Sequence, residues 1–328
     1  MKETIKNKLN LFIENEQEIR KKFSLHFVIT KRMAALLYAL ENKKIDIDSI
    51  KKCHDMIKRN TNVFSAFRGD MILSTATLLS LSPNPHEMFE KTLKVYQMLK
   101  DVKFRSSEFL VIAAYQIAVQ TEENQYINIV NRTRAFYEGM KKYHFFYTGQ
   151  DDYIFAAMLG LSDLEVEAAT EHIEQIYRRL KNKFWDNNSV QTLTQVFGLN
   201  KADEYAEKRI FVLRDALKER KLKMDKSYTL PVLGILALLP IETEVIFHDI
   251  DEIQKILRAQ KKFGSLSTTM QEVLLFSAAV ATSEYTHEIA DNTLTATLST
   301  NITNIIIAQQ AAMIAAITAS SAAAAASS

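Results

Sequence analysis

The stretch AAMLGLSDLEVEA, residues 156–168, decides the fold. An apolar run ends at Gly160-Leu161, Ser162 follows, and acids open the next segment. Ser162 with Glu165 has the spacing of a capping box, in which the serine oxygen takes a free backbone N–H of a new helix and the glutamate reaches back. The pattern predicts a corner where one helix hands over to another.

The same break returns along the chain. Apolar runs end at Leu40, Leu81, Val119, Leu161, Leu199, Leu238 and Val280, with separations of 41, 38, 42, 38, 39 and 42 residues. A near-constant period of this length marks stacked helical hairpins. In each period the first helix is apolar nearly all round, as in EFLVIAAYQIAV (108–119), and belongs inside. The second is amphipathic: in TEHIEQIYRRL (170–180), Ile173, Ile176, Tyr177 and Leu180 share one face. Asn200 with Asp203, Pro83 with Pro85, Thr148 with Asp151 and Thr269 with Glu272 are further helix-start signals. Residues 1–25, with Leu9, Phe12, Ile13, Ile19 and Phe23, read as an amphipathic cap on the first hairpin. The expected fold is all-α: an α-solenoid-like array of stacked hairpins over residues 1–290, as one domain, followed by an Ala/Ile/Ser-rich helix and tail over 291–328.

Composition agrees. Seven glycines and four prolines in 328 residues are too few for a sheet with many tight turns. The net charge of +2 argues against a dedicated nucleic-acid binder. Cys53 has no partner for an intrachain disulfide, and the charged N-terminus lacks an apolar signal core. A cytoplasmic location is expected.

The segments MAALLYALENKKIDIDSIKKC, FRSSEFLVIAAYQIA, GQDDYIFAAMLGLSDLEVE and TLTATLSTNITNIIIAQQAAMIAA together resemble a bacterial family, domain-of-unknown-function family four thousand and three, found in Bacillus-like Gram-positive bacteria. The likeness covers essentially the whole length. It implies a bacterial protein and brings no activity or site residues with it.

Chemistry is sparse. The seven histidines include no H-E-x-x-H pattern, and Glu284 with His287 makes one E-x-x-H where a di-iron bundle needs two. The chain has no glycine-rich phosphate loop, dinucleotide fingerprint or nucleophile elbow. Cys53 beside His54 reads as structural, since adjacent helical residues point apart. No metal or cofactor is expected. If a pocket is assembled inside the array, Asp151, Asp152, Tyr177 and Trp185 are its candidate residues.

Charge is more informative. The amphipathic helices begin with acids such as Asp46 and Asp203 and end with bases such as Lys58 and Arg59. Stacked in register they form a basic edge on which Arg178, Arg179, Lys181 and Lys183 are candidates. Complementarity to helix dipoles accounts for most of this, and attraction of an acidic partner or polyanion is the alternative. The tail has no charge from Asn292 to Ser328. Its glutamines and alanines argue against a membrane span. Rows of small residues, Ala308-Ala312-Ala316 and Ala311-Ala315-Ala319, suit close helix approach, with residues from about 304 to 319 docked on the final hairpins or on a second subunit. The expected function is a non-enzymatic scaffold or interaction protein, with a protein partner or self-association through the C-terminal helix. Neither nucleic acid nor membrane is an expected partner. An enzyme or small-ligand sensor is the alternative, and polyanion binding on the basic edge a weaker one.

Overall fold

The computed structural model describes residues 1–265, 267–288, 304–309 and 311–314. Among these the chain is helical throughout, with no strand. It divides into two compact units. The described residues of the N-proximal unit are 14–166 and 311–314. Those of the C-proximal unit are 1–13, 167–265, 267–288 and 304–309.

In the N-proximal unit, helices α2 (Val28–Leu40), α4 (Ile72–Leu81), α6 (Glu108–Gln120) and α8 (Asp152–Leu161) alternate with α3 (Ile47–Asn60), α5 (Pro85–Asp101) and α7 (Tyr126–Tyr143). The first set is buried along almost its whole length; every residue of α6 from Leu110 to Ala118 is inside. The second set buries one face, as α5 does with Phe89, Thr92, Val95 and Leu99. Inner α2 packs on α4 and α6 on α8, while α5 packs on α3 and α7. Burying each large apolar side chain contributes about 1.5–3 kcal/mol, so the inner helices dominate the unit's stability.

The C-proximal unit alternates α9 (Val166–Leu180), α11 (Glu204–Glu219) and α13 (Thr243–Ala259) with inner α10 (Asn187–Leu199), α12 (Thr229–Leu238) and α14 (Met270–Glu288). Helix α12 packs on both α10 and α14, and is buried from Thr229 to Ala237. The start of helix α1 (Glu3–Ile19) also belongs here. Phe12 meets Phe263 and Phe276 at ring-centroid distances of 6.1 and 5.3 Å, and Lys8 pairs with Glu284 at 2.8 Å. The expected cap on the first hairpin is thus a feature of residues after 13 alone. There Asn15 accepts from Ile45 N at 2.8 Å and donates to Lys43 O at 3.0 Å.

The corner at residue 162 differs in detail from the expected capping box. Ser162 closes α8: its N–H and hydroxyl both donate to Leu159 O, at 3.2 and 2.6 Å, and α9 begins four residues later. Gly160 serves packing rather than turning. A Cβ there would overlap Thr133 of α7, including its backbone, so the glycine lets α8 lie close against α7. Other starts follow their local chemistry. Asn84 precedes Pro85 and accepts from Glu87 N, Asp203 accepts from Ala206 N at 2.9 Å, and Thr269 accepts from Glu272 N at 3.2 Å.

With few glycines, left-handed helix ends fall to other residues. Asn42, Lys103, Lys201 and Lys221 have φ of 53°, 73°, 51° and 63°. The following N–H reaches back to Tyr38, Leu99, Phe197 and Leu217 O respectively, in Schellman fashion.

Two arginines hold helix ends in the same way, one in each unit. Arg132 of α7 donates to the carbonyls of Gly160, Ser162 and Leu164 at 3.0, 2.8 and 2.8 Å. Arg209 of α11 donates to those of Ala237, Leu239 and Ile241. The sequence offsets are 28, 30 and 32 residues in both cases. Each guanidinium satisfies carbonyls left free where an inner helix ends.

Residues 304–309 and 311–314 are helical, and Ile305, Ile306 and Ile307 are buried in the C-proximal unit. The remainder of the predicted tail helix, with Ala315, Ala316, Ile317 and Ala319, lies outside the described residues, as does the segment 289–303. Among the described residues no helix is long and apolar enough to cross a membrane.

Candidate functional site

In the N-proximal unit, the loops that enter α4, α6 and α8 meet around a cavity of about 350 Å³. Phe64, Ser106 and Gln150 each come from a different loop, and Gly69, Asp70 and Glu108 complete the polar part of the lining. Ser107 caps α6 through Leu110 N at 3.1 Å, which places Glu108 in the first turn. The Glu108 carboxylate accepts from Met71 N at the start of α4, a helix with no side-chain cap of its own. Glu108 is therefore a cap supplied from a neighbouring hairpin. Burial pushes its pKa up and the negative Asp70 adds to this, while the Met71 N–H opposes. A Cβ at Gly69 would overlap the carboxylate, so only glycine admits it. Chemically the pair offers one carboxyl with a raised pKa beside an exposed one.

The candidates read from the sequence divide between the units. Asp152 is buried and accepts from Gly149 N at 2.8 Å, closing the loop into α8, with half-buried Asp151 beside it. Tyr177 and Trp185 belong to the C-proximal unit, where Tyr177 is buried and Trp185 is 97% exposed. Asp186, next to Trp185, caps α10 through Asn188 N at 3.1 Å and the Ser189 hydroxyl. On the basic edge, Arg178 bonds Glu174 at 2.6 Å, and Arg179 grips Glu207 with two bonds of 2.9 and 2.6 Å. Lys181 and Lys183 are exposed.

Two further clusters stand apart from those candidates: the first joins residues far apart in the sequence, and in the second only His248 with Glu252, one helical turn apart, is a pair the sequence offers. His26 and His54 stand edge to face with ring centroids 5.3 Å apart, and the buried His54 Nε2 has no hydrogen-bond partner. Burial, then the charges of His54, Lys58 and Lys31, lower the His26 pKa to about 4. Neighbouring Cys53 is buried, which pushes its thiol up to about 11 and makes it a poor nucleophile. In the C-proximal unit His248, Asp249 and Glu252 bring three ligand-type atoms within 4.8 Å of one another. Asp249 is buried and accepts from Tyr285 Oη at 2.8 Å. The Met1 ammonium pairs with Asp249 at 3.4 Å and Glu252 at 2.8 Å, so one positive charge is shared between the two carboxylates. The side chain of His287, half of the E-x-x-H pair, lies outside the described residues; Glu284 is held by Lys8.

The α7–α8 loop exposes Phe145 and, at 93%, Phe146. Their rings stand at 90° with centroids 5.5 Å apart, and Lys141 Nζ lies 5.4 Å from the Phe145 centroid. A recurring position could have signalled this loop. Phe23, Phe64, Phe104, Phe145, Phe184, Met224 and Phe263 are separated by 41, 40, 41, 39, 40 and 39 residues, each soon after an amphipathic helix. Phe104 and Phe263 are buried, whereas Phe64 and Phe145 point to solvent.

Residues 15–311 match the model of a family described as "Protein of unknown function (DUF4003)", and the chain belongs to that family. It is 23% identical over 300 residues to a Bacillus subtilis (strain 168) protein described as "Uncharacterized protein YeaA", covering 85% of this chain and 89% of the relative. No solved structure matches the chain.

Proposed function

We infer that this member of the DUF4003 family is a non-enzymatic scaffold or interaction protein of the bacterial cytoplasm, built on an α-solenoid-like stack of hairpins. The observation that carries the reading is the contrast between interior and loops. Inner helices such as α6 and α12 are buried along their length by close-packed side chains, while large aromatics such as Phe146 and Trp185 stand on exposed loops. Exposed aromatics are the residues most often found as anchors in protein interfaces. The burial of Ile305, Ile306 and Ile307 supports packing of the C-terminal segment on its own chain. The test is in-cell crosslinking from a photoreactive residue at 146 or 185. Discrete, reproducible protein adducts are expected; labelling no stronger than from a buried control position such as Ile112 rejects the reading.

The Glu108 cavity favours a second reading, a small-ligand sensor. A carboxyl with a raised pKa in a polar cavity is a candidate for binding a small cation or amine. A thermal-shift screen with cationic metabolites tests this, and a hit must vanish in Glu108→Gln. Polyanion binding along the basic edge is a weaker reading, because Arg178 and Arg179 are engaged within the chain. Replacing Arg178, Arg179 and Lys181 together leaves binding unchanged if these charges only serve helix ends, and weakens polyanion binding at low salt if they form a site.

A further inference from the structure

We propose that the loop edge of the N-proximal unit docks on an anionic lipid surface. This goes beyond the interaction reading and stands apart from it, since a chain that ignores lipid can still hold a protein partner.

The loops that follow α1, α3, α5 and α7 lie together. Those after α3, α5 and α7 share the cavity lined by Phe64, Ser106 and Gln150. The loop after α1 lies beside α3, where His26 meets His54 edge to face with ring centroids 5.3 Å apart. Arg134 of α7 also donates to Lys103 O in the loop after α5, at 3.2 Å. The segments 20–27, 58–71, 100–108 and 141–152 carry eleven Lys and Arg against five acids, and of these bases Arg20 is paired with Glu16. The loops after α9, α11 and α13 carry a like excess of bases, so what sets this edge apart is the set of exposed apolar side chains beside its charge.

The same loops expose large apolar side chains: Leu25 at 98%, Phe64 at 97%, Phe146 at 93%, with Val63 and Phe145 also outward. Bases next to exposed apolar tips fit the membrane–water interface. Lysine stems lie along apolar surface while the ammonium meets lipid phosphate, and phenyl and aliphatic groups enter the acyl boundary. Nucleic acid suits this edge less well. The Phe145 and Phe146 rings are perpendicular, so they do not form parallel platforms for successive bases, and Leu25 and Val63 offer no stacking face. Surface docking needs no spanning segment, and among the described residues no helix is long and apolar enough to be one.

The test is co-sedimentation of the full chain with phosphatidylglycerol–phosphatidylcholine vesicles and with pure phosphatidylcholine vesicles, beside a short DNA duplex as a competing polyanion. Binding to the anionic vesicles that weakens with salt is expected. Phe145→Ser with Phe146→Ser, and separately Lys141→Glu with Lys142→Glu, should each reduce it by at least on the order of tenfold with the helical circular-dichroism spectrum retained. Placing tryptophan at 146 in a Trp185→Phe background should give a blue shift on vesicle addition. Equal binding to both vesicle types, no binding to either, or binding indifferent to the phenylalanine changes overturns the proposal. Duplex binding without vesicle binding assigns the edge to polyanions and overturns it as well.

Discussion

Replacing Arg132 with alanine tests how the inner helices are ended. The guanidinium makes three hydrogen bonds to carbonyls of Gly160, Ser162 and Leu164, and lies 5.7 Å from the Phe136 ring centroid. A hydrogen bond to a charged group contributes about 1.5–3 kcal/mol net when buried. Arg132 is half-buried, and water can reach part of the vacated space, so the three together come to about 3 kcal/mol rather than their sum. For a unit of this size that corresponds to a fall of about 6–12 °C in its melting transition. Arg132→Lys should recover only a minor part, because an ammonium cannot span the three carbonyls as a planar fork does. Arg209→Ala should cost more, because Arg209 is buried and little water can reach the carbonyls it would leave without a donor. Calorimetry on the parent and the three variants, with urea titration to obtain free energies, decides the matter. If Arg132→Ala changes stability by less than about 0.5 kcal/mol, or if lysine replaces arginine without loss, the reasoning about helix-end carbonyls is wrong.

Four more outcomes are expected. Lys103→Gly and Lys262→Gly, at φ of 73° and 74°, should each raise stability by about 0.5–1 kcal/mol in urea titrations, and a loss would show that the lysine side chains matter more than the backbone. His26 prefers its neutral form in the folded state, so its contribution is full above pH 6.5 and is lost as pH falls toward 4; His26→Gln should therefore lose less stability over that window than the parent, and parallel urea midpoints would refute this. Glu108 has the opposite sign: its folded pKa is raised, so its contribution is full below pH 4.5 and declines as pH rises through the folded value, and Glu108→Gln should flatten that decline, which an unchanged pH–stability slope would contradict. Deleting residues 304–328 uncovers the surface under Ile305, Ile306 and Ile307, each worth about 1.5–3 kcal/mol, so a lower melting temperature or aggregation by light scattering is expected; a truncated chain as stable and monodisperse as the full one removes the idea.

Much of the fold was legible because helix starts, helix ends and burial leave local marks. Pro85 opens α5 and Thr269 caps α14 where their residue types suggested, and the fully apolar segments are the inner helices, whereas Asn200, read with Asp203 as one helix start, ends α10 and leaves Asp203 to cap α11. Ser162 misled because its hydroxyl serves both sides of the corner: it donates to Leu159 O of α8 and accepts from Leu164 N, two residues before α9 begins. Glu108 was invisible because its partner, Met71 N, is a backbone group 37 residues away in another hairpin. The His26–His54 contact spans 28 residues and joins a loop to a helix face, so neither residue carries a local sign of it. The pocket candidates rested on residue type alone. Of these Asp152 holds a helix entrance, as does Asp186 beside Trp185, which is the commoner use of an acid at that position.

Where one position recurs, departures from its usual role say more about function than the role itself. The residue that follows each amphipathic helix, aromatic everywhere but at Met224, anchors its loop at Phe104, where it packs edge-on against Tyr153 at 4.8 Å, and at Phe263, where it meets Phe12. At Phe64 and Phe145 the same residue type faces water. Outward aromatics weaken no core but expose an apolar surface that soluble proteins rarely leave uncovered without use. Stability selects for burial at this position, so Phe64 and Phe145 point outward against that preference. Phe64 lines the cavity directly, and Phe145 stands on the loop that reaches it through Gln150. A change of Phe145 to serine should therefore leave the melting temperature nearly unaltered while removing a binding function, whereas Phe104→Ser should unfold its loop and lower the melting temperature. The reverse pattern would mean that the outward aromatics serve the fold after all.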